Sequence, residues 1–186
     1  GELEARMQDA FRRRERRVLH DYFVRGSEYS PQSLLYLIIG RDRGNGSIGS
    51  GLVATREIVD GVAIDYYCKI FTTAEHSGNG AMRGMFQMAR QYKSDGIVRP
   101  GLLRTSDPVA SEIYAKYSEA PPLRINGFDI YGFGFYDKAT GRETFEGAAD
   151  IFRKAAAKVA YKTRSVVPIN ADEAPPAILV PQNYAA

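Results

Sequence analysis

Apolar and polar positions change their spacing along the chain, and each change marks an element. Residues 2 to 24 set Phe11, Val18, Leu19, Tyr22 and Phe23 at helical intervals among arginines, which predicts an amphipathic helix. SLLYLIIG at 33–40 is rich in β-branched and aromatic residues and predicts a strand. The glycine-rich RDRGNGSIGSG at 41–51 then intervenes. LVATREIV at 52–59 and VAIDYYCKIFTT at 62–73 follow, separated by a DG turn at 60 and 61. Three consecutive strands joined by turns are therefore expected. After EHSGNGAM at 75–82, the stretch AMRGMFQMARQYKSDG places Met82, Met85, Phe86 and Ala89 on one stripe, which predicts a helix stopped at Gly96. IVRPGLLRTS at 97–106 predicts a short strand. SDPVASEIYAKY opens a second helix, with Asp107 able to cap its leading amides and Pro108 at its first position. FDIYGFGFY at 128–136 reads as an aromatic strand whose glycines allow close approach of another backbone. A helix from about Glu143 to Thr163, with Ala148, Phe152, Ala155 and Val159 on its apolar face, closes the pattern.

The last 22 residues hold four of the nine prolines, so an extended tail is expected over 165–186, after one domain over 1–164. A chain of 186 residues buries roughly two-thirds of its unfolded surface, enough for a real core. No apolar run approaches the ~20 residues that span a bilayer, and the charged N-terminus lacks the apolar segment of a secretory signal, so a cytoplasmic location is expected, with no membrane partner. One cysteine, Cys68, forms no internal disulfide, and with His20 and His76 as the only histidines no zinc site is expected. The net charge of +3 is too mild to imply a polyanionic partner. The cluster Arg12, Arg13, Arg14, Arg16 and Arg17 reads as a solvated helix face, and nucleic acid is not an expected partner. The oligomeric state stays open, a homo-oligomer included.

Two stretches contain GNG, and their settings separate them. Residues 41–51 join strand to strand, where glycine supplies the positive φ angles of a hairpin. Residues 75–82 join a strand to a helix, whose first turn presents unpaired amides and the positive end of the helix dipole. An anion is stabilised there, and Gly78 and Gly80 let backbone come close to a phosphate. The second loop is the candidate site.

The order of elements resembles the GNAT acetyltransferase superfamily, and in particular the acetyltransferase domain of N-acetylglutamate synthases fused to an amino-acid kinase domain. MQDAFRRRERRVLHDYF at 7–23, YYCKIFTTAEHSGNGAMR at 66–83, LLRTSDPV at 102–109 and FDIYGFGF at 128–135 carry the likeness. It implies an α/β, GNAT-like fold, a mixed and mostly antiparallel central sheet flanked by helices. It also implies an N-acetyltransferase that moves acetyl from acetyl-CoA to the amine of an amino acid, glutamate in the family and hence arginine biosynthesis, with no metal. The family's strand resembles Y-L-D-K-F-A-V before a Q-G-x-G-x-G loop. Lys69 falls on its lysine, Ser77 on the glutamine, Gly78 and Gly80 on the first two glycines and Met82 on the third. Downstream, Arg104 falls on the first arginine of W-R-S-R-x-x-N-P and Asp107 on its asparagine, and the second arginine is missing.

The resemblance implies a cofactor surface made of Phe71, Thr72, Thr73, Ser77, Gly78, Asn79, Gly80, Ala81, Met82 and Arg83. It implies a substrate surface made of Lys69, Arg104 and Asp107. The backbone near Phe71 and Thr72 would bond the pantetheine arm and polarise the thioester carbonyl. Lys69 and Tyr114 are the catalytic candidates, with Tyr114 protonating the leaving thiolate and Asp65 or His76 available as a base. Methionine at position 82 stands where the family has a small residue, and Arg83 offers compensating charge. The alternative to an enzyme is a degenerate GNAT-like binding or regulatory module without acetyltransferase activity.

Overall fold

The computed structural model describes residues 2, 5, 6, 34–78, 80–91, 99–161 and 178–179. Strands β1, Leu34–Arg41, and β2, Ile48–Val59, pair antiparallel from Leu34↔Thr55 to Arg41↔Ile48. Strand β3, Val62–Thr72, follows across Asp60 and Gly61, whose φ angles of 48° and 80° give the two left-handed residues that a tight hairpin needs. A single 3-10 turn at Ala74–His76 leads to helix α1, Ala81–Gln91. Strand β4, Gly101–Thr105, helix α2, Pro108–Ala115, strand β5, Leu123–Ile125, and strand β6, Phe128–Phe133, come next. Helix α3, Ala148–Ala160, and the short strand β7, Ile178–Leu179, complete the described chain.

These residues fall into two compact units, one built on 34–55 and 69–91 and the other on 56–68 and 99–161, so β2 and β3 contribute to both. In the first unit the strands are ordered β7-β1-β2-β3, with β7 parallel to β1 through Ile38↔Ile178 and Ile39↔Leu179. Helix α1 lies against β1. In the second unit the order is β3-β4-β6-β5. There β4 runs parallel to β3 at two pairs, Asp65↔Gly101 and Tyr66↔Leu102, while β4–β6 and β5–β6 are antiparallel. Helix α3 lies against β4, β5 and β6. The fold class is mixed α/β, a mostly antiparallel sheet flanked by helices.

The second unit shows most directly why these residues choose these elements. Helix α3 buries Ala148, Ile151, Phe152, Ala155, Ala156, Val159 and Ala160, the three-and-four spacing of one helix face. That face packs on Ile64, Tyr66, Leu102 and Ile130 from the strands. Each large side chain buried in this way contributes about 1.5–3 kcal/mol. The alanines keep the helix close to the sheet, and Gly132 of β6 extends the same logic. A Cβ on Gly132 would stand 2.9 Å from Phe152 Cε2 and 3.0 Å from Phe135 Cδ2. Polar side chains fix the ends of elements. Asp107 Oδ1 accepts a hydrogen bond from Val109 N at 2.9 Å, with Pro108 at the first helical position, so α2 starts as its sequence predicts.

Helix α3, the aromatic strand and β5 differ from the sequence expectations, each for a local reason. Helix α3 begins at Ala148 rather than near Glu143, because Gly147 holds φ at 75° and residues 143–144 are committed elsewhere. Glu143 bridges Tyr136, Thr144 N donates to Phe135 O at 3.0 Å, and Thr144 Oγ1 donates to Gly134 O at 2.6 Å. The aromatic strand stops at Phe133 because Gly134 turns the chain at φ 79°. Strand β5 was not expected, although Asn126 and Gly127, with φ angles of 52° and 76°, form an Asn-Gly hairpin between β5 and β6. Of the helix expected over 2–24, Glu2, Ala5 and Arg6 are described and helical, and the rest lies outside the described residues. Most of the expected 165–186 tail also lies outside them.

Two predictions follow from this packing. Gly132→Ala forces the Phe152 and Phe135 rings to move and should cost about 1–3 kcal/mol in urea unfolding; an unchanged midpoint would remove the close-approach account. The second concerns buried tyrosines. Burial pushes Tyr114 up to about 12, with the charge of Asp107 adding to it, and burial also pushes up Tyr66 against the opposing pull of Arg104. Both folded values lie above the unfolded value of about 10, so the stability they confer is full below about pH 10 and is lost as pH rises through the folded values. Denaturation measured from neutral to strongly alkaline pH should therefore show stability that is level up to about pH 10 and then declines. A level profile beyond that point would contradict the burial of these phenols.

Candidate functional site

The first unit builds the candidate loop from the end of β3. Ile70 and Phe71 are buried, and the Phe71 ring lies where Gly51 of β2 has no side chain. Thr72 is half-buried, and its Oγ1 is a buried hydroxyl without a hydrogen-bond partner among the described residues. Thr73 is buried and donates from its amide to Gly49 O at 2.8 Å. The chain then makes its 3-10 turn, with Ser77 N donating to Ala74 O at 3.2 Å, and reaches Gly78 and Gly80.

Gly78 and Gly80 sit at φ 83° and 85°, the left-handed region that a side chain disfavours, and nothing lies within 4 Å of where either Cβ would be. The loop is open at both. Asn79 lies outside the described residues. Gly84 N donates to Gly80 O at 3.0 Å, closing the first turn of α1 just beyond the second glycine. That turn carries no acidic residue, so no carboxylate on it offsets the positive end of the helix dipole. Ser77 and Arg83 are exposed, while Ala81 and Met82 are half-buried. Met85, Phe86 and Ala89 are buried, so the stripe read from the sequence is the packed face of this helix.

His76 links this segment to the hairpin between β1 and β2. Its Nδ1 is 2.8 Å from Thr73 Oγ1 and its Nε2 is 3.1 Å from Asp42 Oδ2. The ring lies over Gly49, where a Cβ would be 2.7 Å from Cγ and Nδ1. Asp42 Oδ1 accepts from Gly44 N at 2.8 Å and Asn45 N at 3.1 Å. These bonds, the one to His76 first, hold the Asp42 carboxyl below the usual carboxylate range. Both ring nitrogens of His76 are thus within hydrogen-bond distance of a protein oxygen. Only residues 42–47 of the RDRGNGSIGSG stretch connect β1 to β2, because β2 begins at Ile48 rather than at Leu52 as expected, and the glycines divide the labour. Of its four glycines only Gly46 has a positive φ, and Gly49 and Gly51 in β2 serve ring packing instead.

Lys69 lies half-buried on β3 in the same unit as the loop. The other candidates belong to the second unit. Arg104 donates from Nη1 to the carbonyl of Val159 and, at 3.4 Å, to that of Ala160, and its guanidinium lies 4.6 Å over the Phe128 ring. It thus satisfies carbonyls at the end of α3, where a cation is favoured. Asp107 uses its carboxylate as the cap of α2. Tyr114 is buried on α2, edge to face with Tyr131 at 6.1 Å, and its raised value keeps the phenol protonated at neutral pH. Asp65, the other base candidate, is buried on β3, and Cys68 is half-buried.

Sequence reasoning missed the polar cluster beside Tyr114. Ser111 Oγ lies 2.6 Å from both Asp129 Oδ2 and Tyr131 Oη, and Tyr131 Oη donates to Ser111 O at 2.9 Å. Asp129 and Tyr131 share one face of β6, a period-two signal, but nothing local pairs them with Ser111. No group of three or more His, Cys, Asp or Glu among the described residues could hold a metal ion, and no helix among them is long and apolar enough to cross a membrane.

No family model matches the chain, and no curated protein matches it. Among solved structures it is similar to Arabidopsis thaliana NAA60 in complex with a bisubstrate analogue, at 18% identity, covering 50% of this chain and 68% of that one, with a TM-score of 0.38. A likeness of that size leaves the functional reading to the chain's own residues.

Proposed function

We propose that the chain is an acetyl-CoA-dependent N-acetyltransferase of the GNAT type that acts on the amine of an amino acid. The observation that carries this reading is the open loop of Ser77, Gly78 and Gly80 ahead of α1, with left-handed glycines and no carboxylate in the helix's first turn. Such a loop suits the pyrophosphate of coenzyme A: leading amides and the helix dipole face the anion, and Arg83 adds an exposed cation. Thr72, whose buried Oγ1 has no partner among the described residues, and the backbone near Phe71 and Thr72 would hold the pantetheine arm. When bound, the cofactor would supply an acetyl thioester, whose acetyl group would pass to the amine as the C–S bond breaks and the sulfur leaves as the free thiol.

The chain's own groups would orient the acceptor and manage its proton. Tyr114 holds its proton at neutral pH and is the proposed donor to the departing sulfur. Lys69 is the proposed contact for the acceptor's carboxylate. Arg104 and Asp107 would join it only by giving up the end of α3 and the cap of α2. This leaves fewer groups for a second carboxylate, so glutamate, the acceptor implied by the resemblance, is the first member of a panel rather than a fixed assignment. A cytoplasmic location and a role in arginine biosynthesis stand with that acceptor as proposals.

Calorimetric titration should show coenzyme A binding, and Arg83→Gln should weaken it by about 10- to 100-fold, the value of one charge-assisted contact. Absence of binding to the wild type would sink the cofactor assignment. A thiol-release assay with acetyl-CoA and an amino-acid panel starting from glutamate then separates the two classes. Turnover supports the enzyme, and binding without turnover identifies a non-catalytic module.

A further inference from the structure

Gly78 and Gly80, both left-handed, stand just ahead of α1, and glycine has more backbone freedom to lose than any other residue, so ordering them on binding opposes affinity. The structure contains a device that removes part of this freedom beforehand. We propose that His76 is a positioning residue that clamps the start of this loop in the conformation that receives the anion, an inference that rests on the functional reading above.

The geometry of the clamp is complete at every point. His76 immediately precedes Ser77 and closes the 3-10 turn, its amide donating to Thr73 O at 3.0 Å. Its two ring nitrogens reach in opposite directions, to Thr73 Oγ1 at 2.8 Å and Asp42 Oδ2 at 3.1 Å. Both anchors are themselves held. Thr73 is 1% exposed and is bonded through its amide to Gly49 O at 2.8 Å. Asp42 is fixed by two amides on its other oxygen, and its backbone closes the hairpin connection through Asp42 N to Ser47 O at 2.8 Å and Gly46 N to Asp42 O at 2.9 Å. The ring is pressed on Gly49, where any side chain would displace it. The residue ahead of the loop is thus pinned between β2 and the β1–β2 connection.

The clamp needs no particular ring charge. A neutral ring protonated on Nε2 donates to Asp42 and accepts from the Thr73 hydroxyl, and an imidazolium donates to both. This use of both nitrogens also explains why a histidine, rather than a residue with one polar atom, suits the position.

The test reads the loop and the cofactor separately. His76→Phe keeps a ring over Gly49 and deletes both bonds. Amide hydrogen exchange at residues 77–83 of the ligand-free protein should accelerate, and KM for acetyl-CoA should rise about tenfold with kcat unchanged, the size of one or two modest hydrogen bonds. His76→Gln, which can restore one of the two bonds, should recover part of both effects. Should His76→Phe fail to fold by circular dichroism, the near-isosteric Thr73→Val removes the Nδ1 partner and should accelerate exchange in the same residues. Wild-type exchange and wild-type KM in these variants would overturn the proposal, as would a loss confined to kcat. If the wild type neither binds coenzyme A nor turns over, faster exchange in His76→Phe keeps the clamp while the functional reading falls.

Discussion

Close approach between strand glycines and rings is the constraint on which much of this structure depends. His76 rests on Gly49, Phe71 on Gly51, Tyr67 on Gly101, and Phe152 with Phe135 on Gly132. At each position a single methyl group would displace a ring, and rings packed at interior density have no free volume to move into. In the second unit this contact lets α3 lie close to β6 and bring its alanine face onto the strands. In the first it seats Phe71 at the end of β3 and sets His76 at the start of the candidate loop. A packing rule of the sheet therefore reaches directly into the geometry of the site.

Aspartates and one arginine do the complementary work at the ends of elements. Asp42 organises the β1–β2 connection, Asp107 starts α2, and Asp137 closes the turn after β6 by accepting from Ala139 N, Thr140 N and Thr140 Oγ1. Arg104 finishes α3. Each is a short- or long-range substitute for a backbone bond that the chain cannot make at that point. The two residues of this set expected to meet a substrate, Arg104 and Asp107, have structural partners already. The Ser111, Asp129 and Tyr131 cluster adds a rigid tie between α2 and β6 beside Tyr114.

Much of this was legible in the sequence wherever a signal was local. The Met85, Phe86 and Ala89 stripe gave α1, Asp107 followed by Pro108 gave the start of α2, the Asp60–Gly61 pair gave its hairpin, and Ala148, Phe152, Ala155 and Val159 marked the buried face of α3. The strand-to-helix setting of Gly78 and Gly80 was also readable, because it depends only on neighbouring elements. Strand β5 was equally local, announced by Asn126–Gly127 and overlooked because it has three residues.

What escaped depends on residues far apart in the chain. Asp42 and His76 are 34 positions apart, and Arg104 and Val159 are 55 apart, so no periodicity or cap rule pairs them. The start of α3 moved to Ala148 over a shorter span, because residues 143–144 pair back with 135–136. The sequence by itself determined the elements, the hydrophobic faces and the place of the glycine loop, since these follow from local backbone preferences and side-chain spacing. Only the tertiary structure decided which polar groups are spent on the fold, because a hydrogen bond between distant residues exists only once packing has brought its partners within reach.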